Sequence, residues 1–337
     1  MQEAVGYDIM KCIFCGNEFD ENADPPEHII PEAMGNKELT CDNVCQVCNH
    51  KLSPIETNLI RAPHIVLARN ILKVKGKRGE VPDFNFGESS IEGDPKSKAR
   101  YVVRETGTDL EVFGQSDDDG KVIIKFSGKK FTEEKVKKII QRKGISKVGF
   151  EICTYMEPNE GEEVREKVHE TLRSLEKQGI TCEIKINRNI RPWLNAKLTV
   201  NINGILRTYA KIAFEYYALH FPEYINTPSA EHFRRFIFEE NDKTEDDLLE
   251  AFYDISLKES SIGVTLGDDE HFLMAKGGMV FIVLFGQPAV GIYMHPVEGE
   301  VPYYGAVGRA VFTTISVRDG LERTQVLKVP ESLRGER

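Results

Sequence analysis

Apolar and polar residues recur with two periods along the chain, and each period predicts a different type of element. Apolar residues spaced three or four apart predict helices over residues 132–143, 162–178, 205–220 and 229–239. Short apolar runs predict strands over 100–104, 122–126, 148–154, 181–186, 272–275, 279–285 and 289–295. The earlier strands alternate with helices, as in a small α/β sandwich, whereas the last three are joined by glycine-containing turns and predict an antiparallel sheet.

Residues that favour helix caps indicate where several helices begin. Ser53-Pro54-Ile55-Glu56 matches a capping box with proline at the first helical position, which predicts a helix start there and accounts for Glu56 without a chemical role. A second helix is predicted from Pro63 to about Val74. Ser229 is the predicted N-cap of the last helix.

The length of 337 residues predicts two or three domains. Changes in element type place their boundaries at 1–80, 81–185 and 186–337, and the combined pattern predicts an α+β fold with a mixed α/β middle region. The longest apolar run, residues 279–285, is far shorter than the roughly 20 residues that span a bilayer. No signal-peptide pattern is present, so we expect a cytoplasmic protein with no membrane partner.

The charge is unevenly distributed. The net charge is −10 at pH 7, and the first 50 residues carry ten acidic but only two basic side chains. This excludes a strongly basic, generic nucleic-acid coat protein. Residues 57–79 and 184–214, by contrast, each contain six basic residues and no acidic residue.

The cysteines are concentrated near the N-terminus, where Cys12 and Cys15 form one Cys-x-x-Cys pair and Cys45 and Cys48 form another. Each pair presents two thiolates to one ion, so two pairs complete a tetrahedral structural zinc site. The alternative is a set of buried or reactive thiols, although a redox site needs only one pair. Cys41 precedes the second pair by four residues, and we expect that it does not bind the zinc.

The segment between the two cysteine pairs and just after them contains, in order, Glu27-His28-Ile29-Ile30-Pro31, Gly35-Asn36, Asp42-Asn43 and Asn49. This ordered combination, over about residues 12–60, resembles the zinc-stapled branch of the HNH endonucleases. Two features depart from the family pattern. A Gly-Gly pair is replaced by Gly35-Asn36, and the spacing from Asn43 to Asn49 is shorter than in many relatives.

The resemblance implies a ββα-metal fold, in which a helix crosses a two-stranded hairpin and the active site lies between them. It implies that His28 is the general base that takes a proton from water, for which an imidazole pKa of about 6.5 is suitable. It also implies that Glu27 and Asn49 bind a catalytic divalent ion, Mg²⁺ or Mn²⁺, and that Asn43 holds the loop. The zinc then supplies folding energy, because about 50 residues bury too little surface to fold alone.

An acidic active-site segment repels phosphates, so another segment has to contact the DNA backbone. The basic run after the predicted catalytic helix is the first choice, and its members are Arg61, Arg69, Lys73, Lys75, Lys77 and Arg78. The basic run within 184–214 is the second choice. An ordinary solvated surface is the alternative for both runs.

The leading hypothesis is a metal-dependent endonuclease that hydrolyses phosphodiester bonds in DNA. The set of Glu27, His28 and Asn49 favours it, because a pure zinc module has no need of all three. One alternative is a zinc-binding nucleic-acid or ligand-sensing protein with a vestigial nuclease site. Another gives residues 81–337 the main function, as a small-molecule sensor that controls the nuclease. The same residues are the candidate region for binding a regulatory ligand, a partner or a second copy of the chain in a homo-oligomer.

Overall fold

The computed structural model describes residues 9–20, 25–91, 94–118, 121–127, 132–134, 137–138, 147–154, 161–179, 181–188, 194–196, 199–239, 252–255, 267–287, 289–297, 309–320 and 322–328. The chain divides into two compact units, one made of Met1–Pro82 with Val200–Arg337 and one made of Asp83–Thr199. The sequence predicts three consecutive segments instead. The first and the last of these share a unit because helices from both pack against each other.

Two short hairpins and two helices form the N-terminal part of the first unit. In the first hairpin, β1 (Ile9–Lys11) pairs antiparallel with β2 (Glu18–Asp20). In the second hairpin, β3 (Glu27–His28) pairs antiparallel with β4 (Thr40–Cys41). The helices are α1 (Gln46–Ile60) and α2 (Pro63–Ile71). A short 3-10 helix, Glu32–Met34, lies in the loop between β3 and β4.

Helix α1 begins earlier than the sequence predicts. Its N-cap is Cys45, so the predicted capping box at Ser53 is wrong, and Pro54 lies inside the helix. An interior proline costs about 3 kcal/mol because it removes a backbone hydrogen bond. Leu52 and Leu59 of the same helix are fully buried, and at about 1.5–3 kcal/mol each their burial offsets that cost.

The second unit is built around one sheet. Its strands are β5 (Phe84–Asn85), β6 (Ser89–Ile91), β7 (Asp94–Arg104), β8 (Gly107–Asp118), β9 (Lys121–Ser127), β10 (Lys147–Thr154), β11 (Thr181–Arg188) and β12 (Leu194–Ala196). Their order is β11-β10-β9-β8-β7-β6-β12, and β5 also pairs with β7. Helix α3 (Gly161–Glu176) connects β10 to β11, which run parallel to each other.

The predicted strand–helix–strand pattern is confirmed for this second helix and its flanking strands. Strand β10 also runs parallel to β9. The predicted helix 132–143 is helical at residues 133–134 and 137–138, and its remaining residues, other than Thr132, lie outside the described part of the chain. The antiparallel strands before residue 100 have no counterpart in the sequence-based prediction.

The chain returns to the first unit at residue 200. The helices there are α4 (Ile202–His220) and α5 (Pro228–Phe238), with a 3-10 helix at Pro222–Asn226 between them. The strands are β13 (Phe252–Ile255), β14 (Glu270–Lys276), β15 (Met279–Val283), β16 (Ala289–Tyr293), β17 (Arg309–Ser316) and β18 (Glu322–Lys328). They form an antiparallel sheet with the order β13-β16-β15-β14-β17-β18.

The N-cap of α5 is Thr227 rather than the predicted Ser229. The Thr227 hydroxyl accepts a hydrogen bond from the Ala230 N–H at 3.1 Å. Pro228 occupies the first helical position, where proline is favoured, so the cap falls on the residue before it. Ser229 is buried instead, and its hydroxyl accepts from the Val297 N–H at 3.4 Å.

Helix α4 lies at the centre of the first unit. It packs against α1, α5 and the strands β14 and β15, and its residues from Arg207 to Ala218 are all buried. The C-terminal part of the chain therefore supplies the core on which the N-terminal hairpins and helices rest. Among the described helices, none is both long enough and apolar enough to cross a membrane.

Candidate metal centre and catalytic site

The four predicted zinc ligands lie together. The sulfur atoms of Cys12, Cys15, Cys45 and Cys48 are all within 4.8 Å of one another, and those of Cys15 and Cys45 are 3.7 Å apart. A tetrahedral site with Zn–S bonds of about 2.3 Å requires sulfurs about 3.8 Å apart. The Ile13 N–H donates to the main-chain oxygen of Asn43 at 2.9 Å and joins the two turns. This cluster fits a structural zinc ion.

The thiols of the cluster perturb each other strongly. A hydrogen bond with Cys48 lowers the pKa of the Cys12 thiol to about 4, and the same contact raises the pKa of Cys48. Thiolates are the form that binds zinc. Cys41 lies outside the cluster, and burial, followed by the nearby Glu215 carboxylate, raises the pKa of its thiol. Cys41 therefore packs as a neutral core residue.

His28 lies on β3 opposite Thr40 and is half-buried. Burial lowers the pKa of its imidazole below the usual value; Glu32 opposes that effect, and Lys211 and Lys77 reinforce it. The imidazole is therefore neutral at pH 7 and can accept a proton.

Glu27, the residue before His28, faces the protein interior. Successive side chains of a strand point to opposite faces, and Glu27 is only 5% exposed. Its Oε1 lies 2.7 Å from Nζ of Lys211, a residue of α4 that is fully buried. The sequence-based hypothesis treats this carboxylate as an ion ligand and identifies no protein partner for it; the structure shows that it has one.

Three carboxylates surround the Lys211 ammonium. Besides Glu27, Nζ lies 2.9 Å from Glu56 Oε1 and 2.9 Å from Glu215 Oε2. Burial alone lowers the pKa of this ammonium, but the three carboxylates outweigh burial and raise it well above the usual range. The ammonium is therefore charged. The interpretation of Glu56 as a capping residue is wrong, because its carboxylate binds Lys211 in this interior cluster.

The same ammonium also contacts the backbone of the hairpin. Nζ of Lys211 donates to the main-chain oxygen of His28 at 2.6 Å and lies 3.3 Å from that of Ile29. One buried cation thus holds both the side chain of Glu27 and the main chain that carries the candidate base. Lys211 and Glu215, spaced four apart in an otherwise apolar stretch of helix, were the sequence signal for this cluster.

Of the asparagines in the motif, Asn36 holds the loop. Its buried side chain donates to the main-chain oxygens of Ile30 and Leu39 at 2.7 and 2.8 Å and accepts from the Leu39 N–H at 3.0 Å. Asn43, to which the resemblance gives this role, has an exposed side chain. Asn49 is half-buried in the first turn of α1, so the structure places it on the helix that the resemblance implies.

The loop between β3 and β4 is fixed from the C-terminal sheet as well. Gly35 has φ +100°, and a Cβ there would lie 2.9 Å from the Val317 main chain, so only glycine fits. His271 of β14 contacts the Met34 main-chain oxygen through Nε2 at 2.8 Å and accepts from the Phe285 N–H at Nδ1. Burial lowers the pKa of His271 to about 4, so this imidazole is neutral and donates from Nε2 to Met34.

The basic run after α1 separates into two groups. Its exposed members are Arg61, Lys73, Lys75, Lys77 and Arg78. Arg69, in contrast, is 5% exposed because its side chain lies under the loop at Gly76, so it does not present its charge on the surface as predicted. In the second predicted run, Arg207 and Lys211 are buried in α4.

Comparison with curated proteins and with solved structures finds no match to this chain. Residues 12–62 do match the family model described as HNH endonuclease. The matched segment contains both cysteine pairs, the β3–β4 hairpin and the whole of α1. The resemblance predicted from the sequence is thereby confirmed for residues 12–62, the segment that matches the HNH endonuclease model.

Proposed function

We propose that this protein is a metal-dependent HNH endonuclease that hydrolyses phosphodiester bonds in DNA. The observation that supports the proposal most directly is the state of His28. This imidazole lies on the hairpin of the HNH segment, is half-buried and has a pKa below the usual value because of burial. A neutral imidazole in that position suits the role of general base in phosphodiester hydrolysis.

In this mechanism His28 accepts a proton from the water molecule that attacks phosphorus. Glu27 and Asn49 offer a carboxylate and an amide oxygen, which are donors that Mg²⁺ and Mn²⁺ prefer. An ionised carboxylate has about four acceptor sites on two oxygens, so the contact of Glu27 Oε1 with Lys211 leaves capacity for an ion. Such an ion, when bound, stabilises negative charge on the phosphate and on the leaving 3′-oxygen.

The exposed basic residues after α1 are the proposed contacts with the DNA backbone. Lys73, Lys75 and Arg78 are exposed on the segment that follows α2, and Lys77 lies 3.7 Å from Glu32 in a solvent-exposed pair. An exposed pair of this kind contributes little to stability, so a phosphate can replace Glu32 as the partner of Lys77.

The test is cleavage of plasmid DNA by zinc-loaded protein in Mg²⁺, in Mn²⁺ and in EDTA, with His28→Ala beside the wild type. His169→Ala is the matched control, because it removes an exposed histidine of α3 in the other unit. We expect divalent-ion-dependent cleavage by the wild type and the control, and cleavage slower by about 100-fold or more by His28→Ala. Cleavage at equal rates by both variants would remove His28 from the mechanism.

A zinc-binding nucleic-acid or ligand-sensing protein with a vestigial site is the second candidate. The observation that favours it is the buried contact between Glu27 and Lys211, which occupies one oxygen of the expected ion ligand. The same experiment separates the two functions. A protein that binds DNA in EDTA but leaves the plasmid intact in both metals belongs to the second class.

A further inference from the structure

The buried cluster around Lys211 links a helix of the C-terminal part to the strand that carries the candidate base. The partners are far apart in the chain, since Lys211 follows Glu27 by 184 positions. All side chains of the cluster are largely buried, since those of Lys211 and Glu215 are 0% exposed and that of Glu56 is 14% exposed. The charges of the cluster are therefore shielded from solvent and screened little by salt.

Five oxygens surround the Lys211 ammonium, and they come from two sources. Three are carboxylate oxygens of Glu27, Glu56 and Glu215, and two are main-chain oxygens of the hairpin. An ammonium group has only three hydrogens, so it cannot donate a separate hydrogen bond to each of the five oxygens. Its positive charge attracts all five. A residue that only neutralised the carboxylates would not require the 2.6 Å contact with the His28 main chain.

Resting on the function proposed above, we infer that Lys211 is a positioning residue for the nuclease site. Its ammonium orients the Glu27 carboxylate through Oε1 and fixes the main chain of residues 28–29, so that Glu27 meets a divalent ion in a defined orientation. Partners of metal-binding carboxylates commonly act in this way, and their loss lowers metal affinity by about 10–100-fold.

The three carboxylates that contact Lys211 lie on three different elements. Glu27 belongs to the hairpin, Glu56 to α1 and Glu215 to α4, so Lys211 connects three elements of the first unit. Glu215 lies on the same helix as Lys211, and among the described residues it makes no hydrogen bond or ion pair with strand β3. Neutralising Glu215 together with Lys211 therefore removes no described contact with β3 beyond those that Lys211 itself makes.

The experiment measures Mn²⁺ binding to the zinc-loaded, DNA-free full chain, from the loss of the free-ion signal in electron paramagnetic resonance. The variants are Lys211→Met, the charge-compensated double variant Lys211→Met/Glu215→Gln, Glu27→Gln, and Lys211→Met/Glu215→Gln/Glu27→Gln. Lys37→Met is the matched control, because Lys37 is an exposed lysine of the same hairpin loop that donates to the Asp319 main-chain oxygen at 3.0 Å. Zinc content and cooperative thermal unfolding are measured for every variant.

We expect the double variant to bind Mn²⁺ about tenfold or more weakly than the wild type, while it retains one zinc and unfolds cooperatively. Lys37→Met should bind Mn²⁺ as the wild type does. If Lys211 acts through Glu27, its loss should add almost nothing in the Glu27→Gln background, because coupled residues are not additive.

Wild-type Mn²⁺ affinity in the double variant, or losses that add fully with Glu27→Gln, would overturn the inference. So would a wild type that binds no Mn²⁺. If both Lys211→Met and the double variant lose zinc and cooperative unfolding, Lys211 serves the fold and the inference fails. A wild type that binds Mn²⁺ but cuts no DNA would refute the proposed nuclease, and the binding measurements would still decide the role of Lys211.

Discussion

Replacing Asn36 with alanine removes three hydrogen bonds from the loop between β3 and β4. The Asn36 side chain bonds to the main chain of Ile30 and to both the N–H and the oxygen of Leu39, and it is fully buried. A hydrogen bond contributes about 1 kcal/mol net, and a buried group left unpaired costs about 1–3 kcal/mol. We therefore expect Asn36→Ala to lower the free energy of unfolding by about 3 kcal/mol or more.

Hydrogen exchange detects this loss where it occurs. The Leu39 N–H donates to Asn36 Oδ1, and a loss of about 3 kcal/mol accelerates exchange by about 100-fold where opening limits it. The measurement is exchange by mass spectrometry on peptides that contain Leu39, in zinc-loaded full chain. Exchange at Leu39 reports on this loop whether or not the two units unfold together. A free energy taken from a single melting curve, in contrast, assumes that they do.

The matched control is Asn43→Ala. Its side chain is exposed, and surface substitutions of this kind usually change stability by no more than about 0.5 kcal/mol. Exchange at Leu39 should therefore match the wild type in this variant. Equal acceleration in both variants, or wild-type protection in Asn36→Ala, would refute the assignment of Asn36 as the loop-holding residue.

Four other predictions concern the metal, the base and the DNA. Cys45→Ser should lose the single zinc ion while Cys41→Ser keeps it, as measured by elemental analysis, and equal losses would contradict the four-cysteine assignment. His28→Ala should slow cleavage by about 10²–10⁴-fold with unchanged zinc content. Because the pKa of His28 is lowered, chiefly by burial, and its neutral form is the base, wild-type cleavage should persist below pH 6.5 and fall at more acidic pH. An acid limb above pH 6.5 would contradict this. Changing the four exposed residues Lys73, Lys75, Lys77 and Arg78 to serine should reduce the slope of log affinity against log salt by about 0.9 per lost phosphate contact, measured in EDTA. An unchanged slope would place the contacts elsewhere.

The sequence predicts well those features of the site that depend on residue type and on the spacing between neighbouring residues in the chain. Two Cys-x-x-Cys pairs bring their thiolates together within single turns, and the four sulfurs do cluster. The family resemblance also implies a two-stranded hairpin, and Glu27 and His28 form its first strand, β3. Periodicity likewise predicts α4 and three strands of the C-terminal sheet, β14, β15 and β16. The other described strands of that sheet, β13, β17 and β18, have no counterpart in the prediction.

Features that depend on distant partners are beyond the reach of the sequence pattern. Glu56 fits a capping box by local spacing, but burial beside Lys211 decides its contacts. Asn43 fits the family position for a loop-holding residue, whereas Asn36, which replaces a family glycine, makes the bonds. Arg69 belongs to a basic run by sequence, but its side chain is covered by the loop at Gly76. In each case tertiary packing overrides a local preference.

The placement of α4 determines when the candidate site can form during synthesis. The Lys211 ammonium that holds the His28 main chain lies 183 residues after it, and ribosomes add about 5–20 residues per second. About 10–40 s therefore pass between the synthesis of the hairpin and that of α4. During that time the newly made chain has no complete site. By the same reasoning, a fragment that ends after α2 lacks α4, the helix against which α1 packs. We expect such a fragment to expose Leu52 and Leu59 to solvent and to aggregate.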